Sequence, residues 1–334
     1  LRNPSVVERS DEKMQPSNSL VIETRNLSKA YKEVQALKDL TLTVQQHSIF
    51  GFLGPNGAGK TTTMKLLLGL IRPTSGGGTI FGQDIVRDSV AIRSRVGYLP
   101  QQPRFGDGMS ARETLDFTAR FFFSGPGPKI EARVDEMLDL VGLQDKADRP
   151  VNGFSGGERQ RLGLALAQVN YPDLLILDEP AAALDPIGRH EVLQVMERLR
   201  AHTTIFYSTH LLDDVQQVSD SVAILNDGEL VAQGPIEVLL AGGDKPVYTL
   251  SLKGDTRRAL ACIEALPWVS SVHEAARNGF VTWDIGVTDD QAAEAQLLRH
   301  VLADEALTVV EFSRKKFELE EVFLNIVEGG KDGR

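Results

Sequence analysis

Leu53-Gly54-Pro55-Asn56-Gly57-Ala58-Gly59-Lys60-Thr61-Thr62 is the stretch that decides the fold. Before it, Ser48 to Leu53 is a dense apolar run suited to a buried strand; after it, Thr61 to Leu70 places apolar residues at helical spacing. The turn between them matches GxxxxGK[ST], a pattern that arises by chance in roughly one chain in a hundred of this length at average composition. Between a strand and a helix the pattern has physical meaning. Its glycines let the backbone curl so that successive N–H groups point inward at phosphate oxygens, and the amino end of the following helix adds a positive field. Lys60 then reaches the β and γ phosphates of a nucleotide, Thr61 offers a hydroxyl to Mg²⁺, and Thr62 counts with the phosphate-binding loop.

Leu174-Leu175-Ile176-Leu177-Asp178-Glu179 is an apolar strand that ends in two carboxylates. Alone it reads equally well as a surface turn after a core strand, helped by Pro180. Taken with the phosphate loop, Asp178 is placed to hold the metal through its water shell, and Glu179 to orient or deprotonate an attacking water.

Around these elements strands are expected at Leu20 to Thr24, Leu40 to Val44, Thr79 to Phe81, Val96 to Leu99 and Thr203 to Ser208, with helices at Gly156 to Gln168 and Arg189 to Ala201. A helical insert covers about Ser110 to Val141, with Leu115, Phe117, Phe121, Met137 and Leu138 as apolar residues and a break at Gly125-Pro126-Gly127-Pro128. The alternation predicts an α/β domain whose sheet is largely parallel and covered on both faces. Near Ala241-Gly242-Gly243-Asp244 the pattern resets. Strand (Val247 to Leu252), helix (Thr256 to Leu266), strand (Val269 to Ala275), strand (Phe280 to Gly286), helix (Asp290 to Leu302) and strand (Leu307 to Ser313) predict a small βαββαβ, ferredoxin-like α+β domain, followed by a last helix at Leu319 to Val327. The expected divisions are a disordered tail over 1–19, a first domain over 20–243 with its helical part at about 102–170, and an accessory or regulatory domain over 244–334.

The whole-chain numbers narrow the class. At 334 residues, with 42% hydrophobic and 25% charged, the composition is that of a globular protein of two domains. No run approaches the roughly 20 apolar residues of a membrane span, and the polar start, which opens on Leu1 as a trimmed chain would, lacks the apolar core of a signal peptide. A cytoplasmic location is therefore expected. Cys262, the single cysteine, fits a reducing compartment and reads as a buried small hydrophobe. The net charge of −10 argues against a protein that coats nucleic acid, so no nucleic-acid partner is expected.

Phe154-Ser155-Gly156-Gly157-Glu158-Arg159-Gln160-Arg161 supplies the family. Ser155-x-x-Glu158 is a capping box that starts a helix, and a helix opening on Ser-Gly-Gly is also a phosphate-binding surface. The segment resembles the SGGxxQR signature of ABC ATPases, the P-loop ATP-binding subunits of ABC transporters. Other segments are similar in the family's order: Gln101 to the Q-loop glutamine, Ala183-Leu184-Asp185 to the D-loop, His210 in Ser208-Thr209-His210 to the switch histidine, and Tyr31 to the aromatic that stacks on adenine. The resemblance covers roughly Leu20 to Ala241. Phe317-Glu318-Leu319-Glu320-Glu321-Val322-Phe323-Leu324 further resembles the tail of drug-exporter ATPases.

This resemblance implies an ATP hydrolase with ATP and Mg²⁺ as cofactors, and contacts from Gln101 to the metal and attacking water and from His210 to the γ-phosphate. It implies a head-to-tail homodimer in which Ser155, Gly156, Gly157, Glu158 and Gln160 serve the nucleotide of the other subunit, and a separate transmembrane permease that carries the export path and places the chain on the inner face of the membrane. One departure stands out: Ala181-Ala182-Ala183 replaces the family's frequent Thr-Ser-Gly or Thr-Asn-Gly, so cross-dimer hydroxyl or amide contacts are missing there. A soluble ABC ATPase acting on ribosomes or DNA is the alternative, though the basic linker between two ATPase halves and the long coiled coil of those groups are absent from the sequence. A P-loop kinase leaves the signature segment and His210 unexplained.

Overall fold

The computed structural model describes residues 20–125, 127–240, 246–277, 280–304 and 306–315. The expectations for the tail over 1–19, the reset at Ala241 to Asp244 and the last helix at Leu319 to Val327 lie outside the described residues.

The phosphate loop belongs to a six-stranded sheet with the order Glu229–Pro235, Ser221–Asn226, Ile49–Leu53, Thr204–Thr209, Leu174–Asp178, Val96–Leu99. All neighbours are parallel except the first pair. Alternate residues supply two different cores. Ile49, Leu175, Leu177, Ile205 and Tyr207 pack on one side with the helical layer, whereas Phe50, Phe52, Leu174, Ile176 and Phe206 pack on the other. Burial on both faces is what produces unbroken apolar runs in place of alternation.

The register gathers the strand ends. Leu53 pairs with Thr209 and Asp178 with Ser208, so the phosphate loop, Glu179 and His210 all leave the sheet at its carboxyl edge, the edge where open α/β sheets bind ligands.

The second face is covered by a five-stranded antiparallel sheet formed by Leu20–Tyr31, Val34–Leu40, Thr43–Gln45, Ser75–Ile80 and Gln83–Asp84, of which the sequence announces only the strands at Leu20 to Thr24 and Thr79 to Phe81. Its first strand is 12 residues long and runs well past the Thr24 expected as its end. The strand expected at Leu40 to Val44 is instead a junction between two strands. The hairpin Ser221–Asn226 and Glu229–Pro235 is likewise unexpected, although Asp227-Gly228 at its turn, both at positive φ (46° and 80°), is a strong hairpin signal.

The helical part contains Ala111–Phe122, Gly127–Leu140 and Gly156–Gln168, the first two separated at the predicted Gly/Pro break. Leu115, Met137 and Leu138 are buried there, but Phe117 and Phe121 point outward, 57% and 73% exposed. The helix expected from Arg189 runs from Pro186 to Leu199, because Asp185 caps it by accepting from the Gly188 N–H at 3.0 Å and proline is well tolerated in a first turn.

The C-terminal elements form a four-stranded antiparallel sheet, Val269–Arg277, Phe280–Val287, Val247–Lys253, Thr308–Arg314, with helices Arg257–Glu264 and Asp290–Leu302. This is the predicted βαββαβ order, with its own core around Trp283, Leu250, Ile263 and Leu297. Cys262 is not buried as expected: it is exposed, since Ala259 and Ile263 define the inward face of its helix and Cys262 turns away from them.

Candidate nucleotide site

The loop keeps its glycines for steric reasons. Gly59 has a φ of 107°, and a Cβ there would lie 2.5 Å from the Ala36 carbonyl oxygen; a Cβ on Gly54 would lie 2.4 Å from that of Leu225. Leu225 belongs to the unexpected hairpin, whose turn also ties down the site: Gly228 donates to the Ala58 carbonyl and accepts from the Lys38 N–H. The hairpin therefore acts as a clamp behind the loop.

A cleft of about 360 Å³ opens in front of it, lined by Ala36, Asn56, Gly57, Gly59, Lys60, Thr61, Thr62, Gln101 and Glu179. Lys60 is buried at the head of helix Lys60–Leu67; its ammonium donates to the carbonyls of Gly54 (2.6 Å) and Pro55 (3.1 Å) and pairs with Glu179 at 3.2 Å. The Thr61 hydroxyl donates to Asp178 Oδ2 at 2.8 Å. Gly54 and Pro55 also line a separate, smaller cavity with Leu53, His210 and Leu212.

Glu179 is 6% exposed and sits at a φ of 50°, a left-handed conformation that a glutamate adopts at a cost. One carboxylate oxygen faces Lys60; the other lies 3.0 Å from His210 Nδ1. Ser208 holds the turn in place, donating its hydroxyl to Asp178 Oδ1 at 2.7 Å and accepting the Glu179 N–H at 3.0 Å. In the sequence Ser208 stands only as the end of the Thr203 to Ser208 strand and the lead-in to His210; its position beside Asp178 follows from strand register, which the sequence does not display. The donor set here, a hydroxyl, a carboxylate and the Gln101 amide, consists of hard oxygens suited to Mg²⁺, which takes one or two protein groups and completes its shell with phosphates and water.

Other candidates stand apart. Tyr31 ends its strand half-exposed, with Lys29 Nζ 5.0 Å from its ring centre, and does not line the cleft. Neither do Asp185, Ser155, Gly156, Gly157, Glu158 and Gln160. Ser155 caps helix Gly156–Gln168 with the predicted reciprocal box: its hydroxyl accepts the Glu158 N–H at 3.2 Å, and Glu158 accepts the Ser155 N–H at 2.7 Å. Phe154 is buried while Ser155 and Gly156 face solvent, so the positive end of this helix is presented outward. Gln160 reaches back, donating to the Gln101 carbonyl at 3.1 Å.

The Glu158 carboxyl is held below its ordinary 4.5, first by the bond from Lys146 and also by the Ser155 N–H, against the opposing effect of burial. A depressed carboxylate contributes stability that is fully present above its unfolded value and is lost as pH falls through the folded one. Urea titrations at successively lower pH below about 4.5 are therefore expected to show a smaller loss of stability in Glu158→Gln than in the parent. Equal slopes would mean that Glu158 binds its proton equally well in the folded and unfolded chain, and that the box does not depress its pKa.

A strand leading into a phosphate loop, with a neighbouring strand that ends on Asp178 and Glu179, defines a P-loop nucleotide hydrolase. A sequence model of the ABC transporter family matches residues 37–182. An uncharacterised ABC transporter ATP-binding protein of Bacillus subtilis, YxlF, is 38% identical over 92% of this chain and 99% of its own length. The bacitracin transport ATP-binding protein BcrA of Bacillus licheniformis is 34% identical over 94% and 100%, and the daunorubicin resistance ATP-binding protein DrrA3 of Streptomyces coeruleorubidus 33% over 92% and 95%. Among solved structures, the ATP-binding cassette MJ0796, a dimer in a post-hydrolysis state with ADP and Pi, superposes with a TM-score of 0.60 at 25% identity, covering 64% of this chain and 98% of that one. The chain belongs to the ATP-binding proteins of ABC transporters. It is an ATP hydrolase.

Proposed function

We propose that this subunit drives export of a substrate through a separate membrane-spanning permease, working as a head-to-tail homodimer at the inner face of the cell membrane. The observation that carries the catalytic half is the convergence of Lys60, Thr61 and Glu179 at the cleft, with Asp178 bonded to Thr61 and His210 to Glu179. Phosphate oxygens compete for the Lys60 ammonium and the loop N–H groups. Glu179, with His210 fixing one oxygen, accepts the proton of the attacking water, and His210 donates toward the γ-phosphate. Thr61 and, through water, Asp178 would hold Mg²⁺, which would supply charge neutralisation on the phosphates.

The dimer reading is supported by the outward-facing Ser155-Gly156 helix end, which no group of its own cleft uses, and by the dimeric state of the MJ0796 cassette. The exporter reading is supported by BcrA and DrrA3, whose names give bacitracin transport and daunorubicin resistance. A permease has a surface to hold: a groove of about 840 Å³ along helix Ala111–Phe122 contains Phe117 and lies beside the exposed Phe121. Among the described residues no helix is long and apolar enough to cross a membrane. The unit Val247–Arg314 is read as an accessory to the dimer or a regulator.

Purification from membranes tests the proposal. The chain is expected to co-purify with an integral membrane protein that identifies as a permease by mass spectrometry, and Phe121→Asp to reduce that yield on the order of tenfold. Recovery with ribosomes or DNA and without a membrane protein overturns it.

A further inference from the structure

Helix Pro186–Leu199 touches both halves of the machinery. On one side it meets the helix capped by Ser155: a Cβ on Gly157 would lie 3.3 Å from the Cα of Gly188, and Arg161 pairs with Glu191 at 3.1 Å. On the other side Arg189, in its first turn, donates Nε–H to the carboxylate of Asp214. Asp214 is 1% exposed and lies four residues beyond His210. Its second oxygen accepts from the Thr209 hydroxyl at 3.4 Å, and that hydroxyl accepts the Leu211 N–H at 3.0 Å. The residues immediately before and after His210 are thus held by one hydroxyl, which is held by Asp214, which is held by Arg189. His210 in turn meets Glu179.

A carboxylate buried to this degree is costly unless paired, and burial indeed raises the Asp214 pKa against the pull of Arg189. Neither residue lines the nucleotide cleft, and neither touches the atoms that react. The pairing fixes the backbone of the segment that carries His210.

We propose that Arg189 and Asp214 are positioning residues that lock His210 onto Glu179 and tie this geometry to the helix capped by Ser155, so that engagement of that helix end by a second subunit's nucleotide is felt at the first subunit's own Glu179. The inference rests on the proposed roles of His210 and of the shared dimer. It names a route between the two nucleotide sites that avoids Ala181-Ala182-Ala183, where the side chains have no hydrogen-bonding groups.

Steady-state ATP hydrolysis by the full chain tests it, with thermal melting as the control for folding. Arg189→Gln is expected to lower kcat on the order of tenfold, as a small displacement of a reacting group does, with KM for ATP within about twofold of the parent. Arg189→Lys, which keeps the charge, restores part of the rate. Asp214→Asn gives the same loss, and the double variant is no slower than the slower single, because both remove one link. If Arg189→Gln yields no folded protein, Asp214→Asn carries the same test. A folded variant with kcat within about twofold of the parent, a loss confined to KM, or losses that multiply in the double variant each overturn the proposal. His210→Ala separates the two levels: full turnover there removes the reading of the site itself, whereas a slow His210→Ala beside a normal Arg189→Gln removes only the positioning role.

Discussion

Glu179→Gln is expected to reduce ATP turnover by about 10² or more while ATP binding stays within a few-fold of the parent. The amide is the same size, so the turn at a φ of 50° and the Ser208 bond to the Glu179 N–H persist. What is lost is the charge. Glu179 lies between the Lys60 ammonium and His210 Nδ1, and an amide cannot take the proton of the attacking water as a carboxylate does. With binding intact and hydrolysis slowed, ATP with Mg²⁺ should hold the closed dimer long enough to be seen by size exclusion. Phosphate release, nucleotide binding and elution volume are the three measurements. Normal phosphate release would remove Glu179 from the role of base, whatever the other two give.

Much of this site is legible because its parts are local. A phosphate loop is a contiguous turn whose glycine pattern is readable locally, although the groups that a Cβ on Gly59 or Gly54 would meet, Ala36 and Leu225, lie elsewhere in the chain. The capping box at Ser155 and Glu158 is equally local, and both of its bonds are present as predicted. Buried strands announce themselves by continuous apolar runs, so the parallel core around Leu174–Asp178 and Ile49–Leu53 could be placed with little error.

The misses are non-local. Leu20–Tyr31 forms three antiparallel pairs whose register breaks at points such as Leu20/Ile22, Leu27/Lys29 and Arg25/Ser28, and such irregularities blur the alternation that would have revealed its length. The clamp at Leu225 and Gly228 touches the phosphate loop from about 170 residues away in sequence, and Ser208 acquires its partners only through register with Asp178. The apolar periodicity that names Leu115, Phe117, Phe121, Met137 and Leu138 together does not distinguish a face that meets the protein's own core from one that points outward, as Phe117 and Phe121 do.

That distinction matters most at Ser155. In a single subunit its helix end faces solvent, so a bulky cation there, which removes the Ser155 hydroxyl cap at a cost of about 1 kcal/mol, should leave the fold and ATP binding largely intact while obstructing whatever approaches. Ser155→Arg is expected to lower hydrolysis by about 10² or more, with the phosphate loop still able to bind nucleotide. The decisive measurement mixes two inactive proteins. If each site takes Glu179 from one subunit and Ser155 from the other, a mixed dimer of Glu179→Gln and Ser155→Arg contains one site with both native groups, and random pairing gives at most about a quarter of parental turnover. Sites complete within one chain contain at least one damaged group in every subunit, and mixing then restores nothing. Return of phosphate release on mixing thus distinguishes a pocket shared between two copies from one that each copy owns.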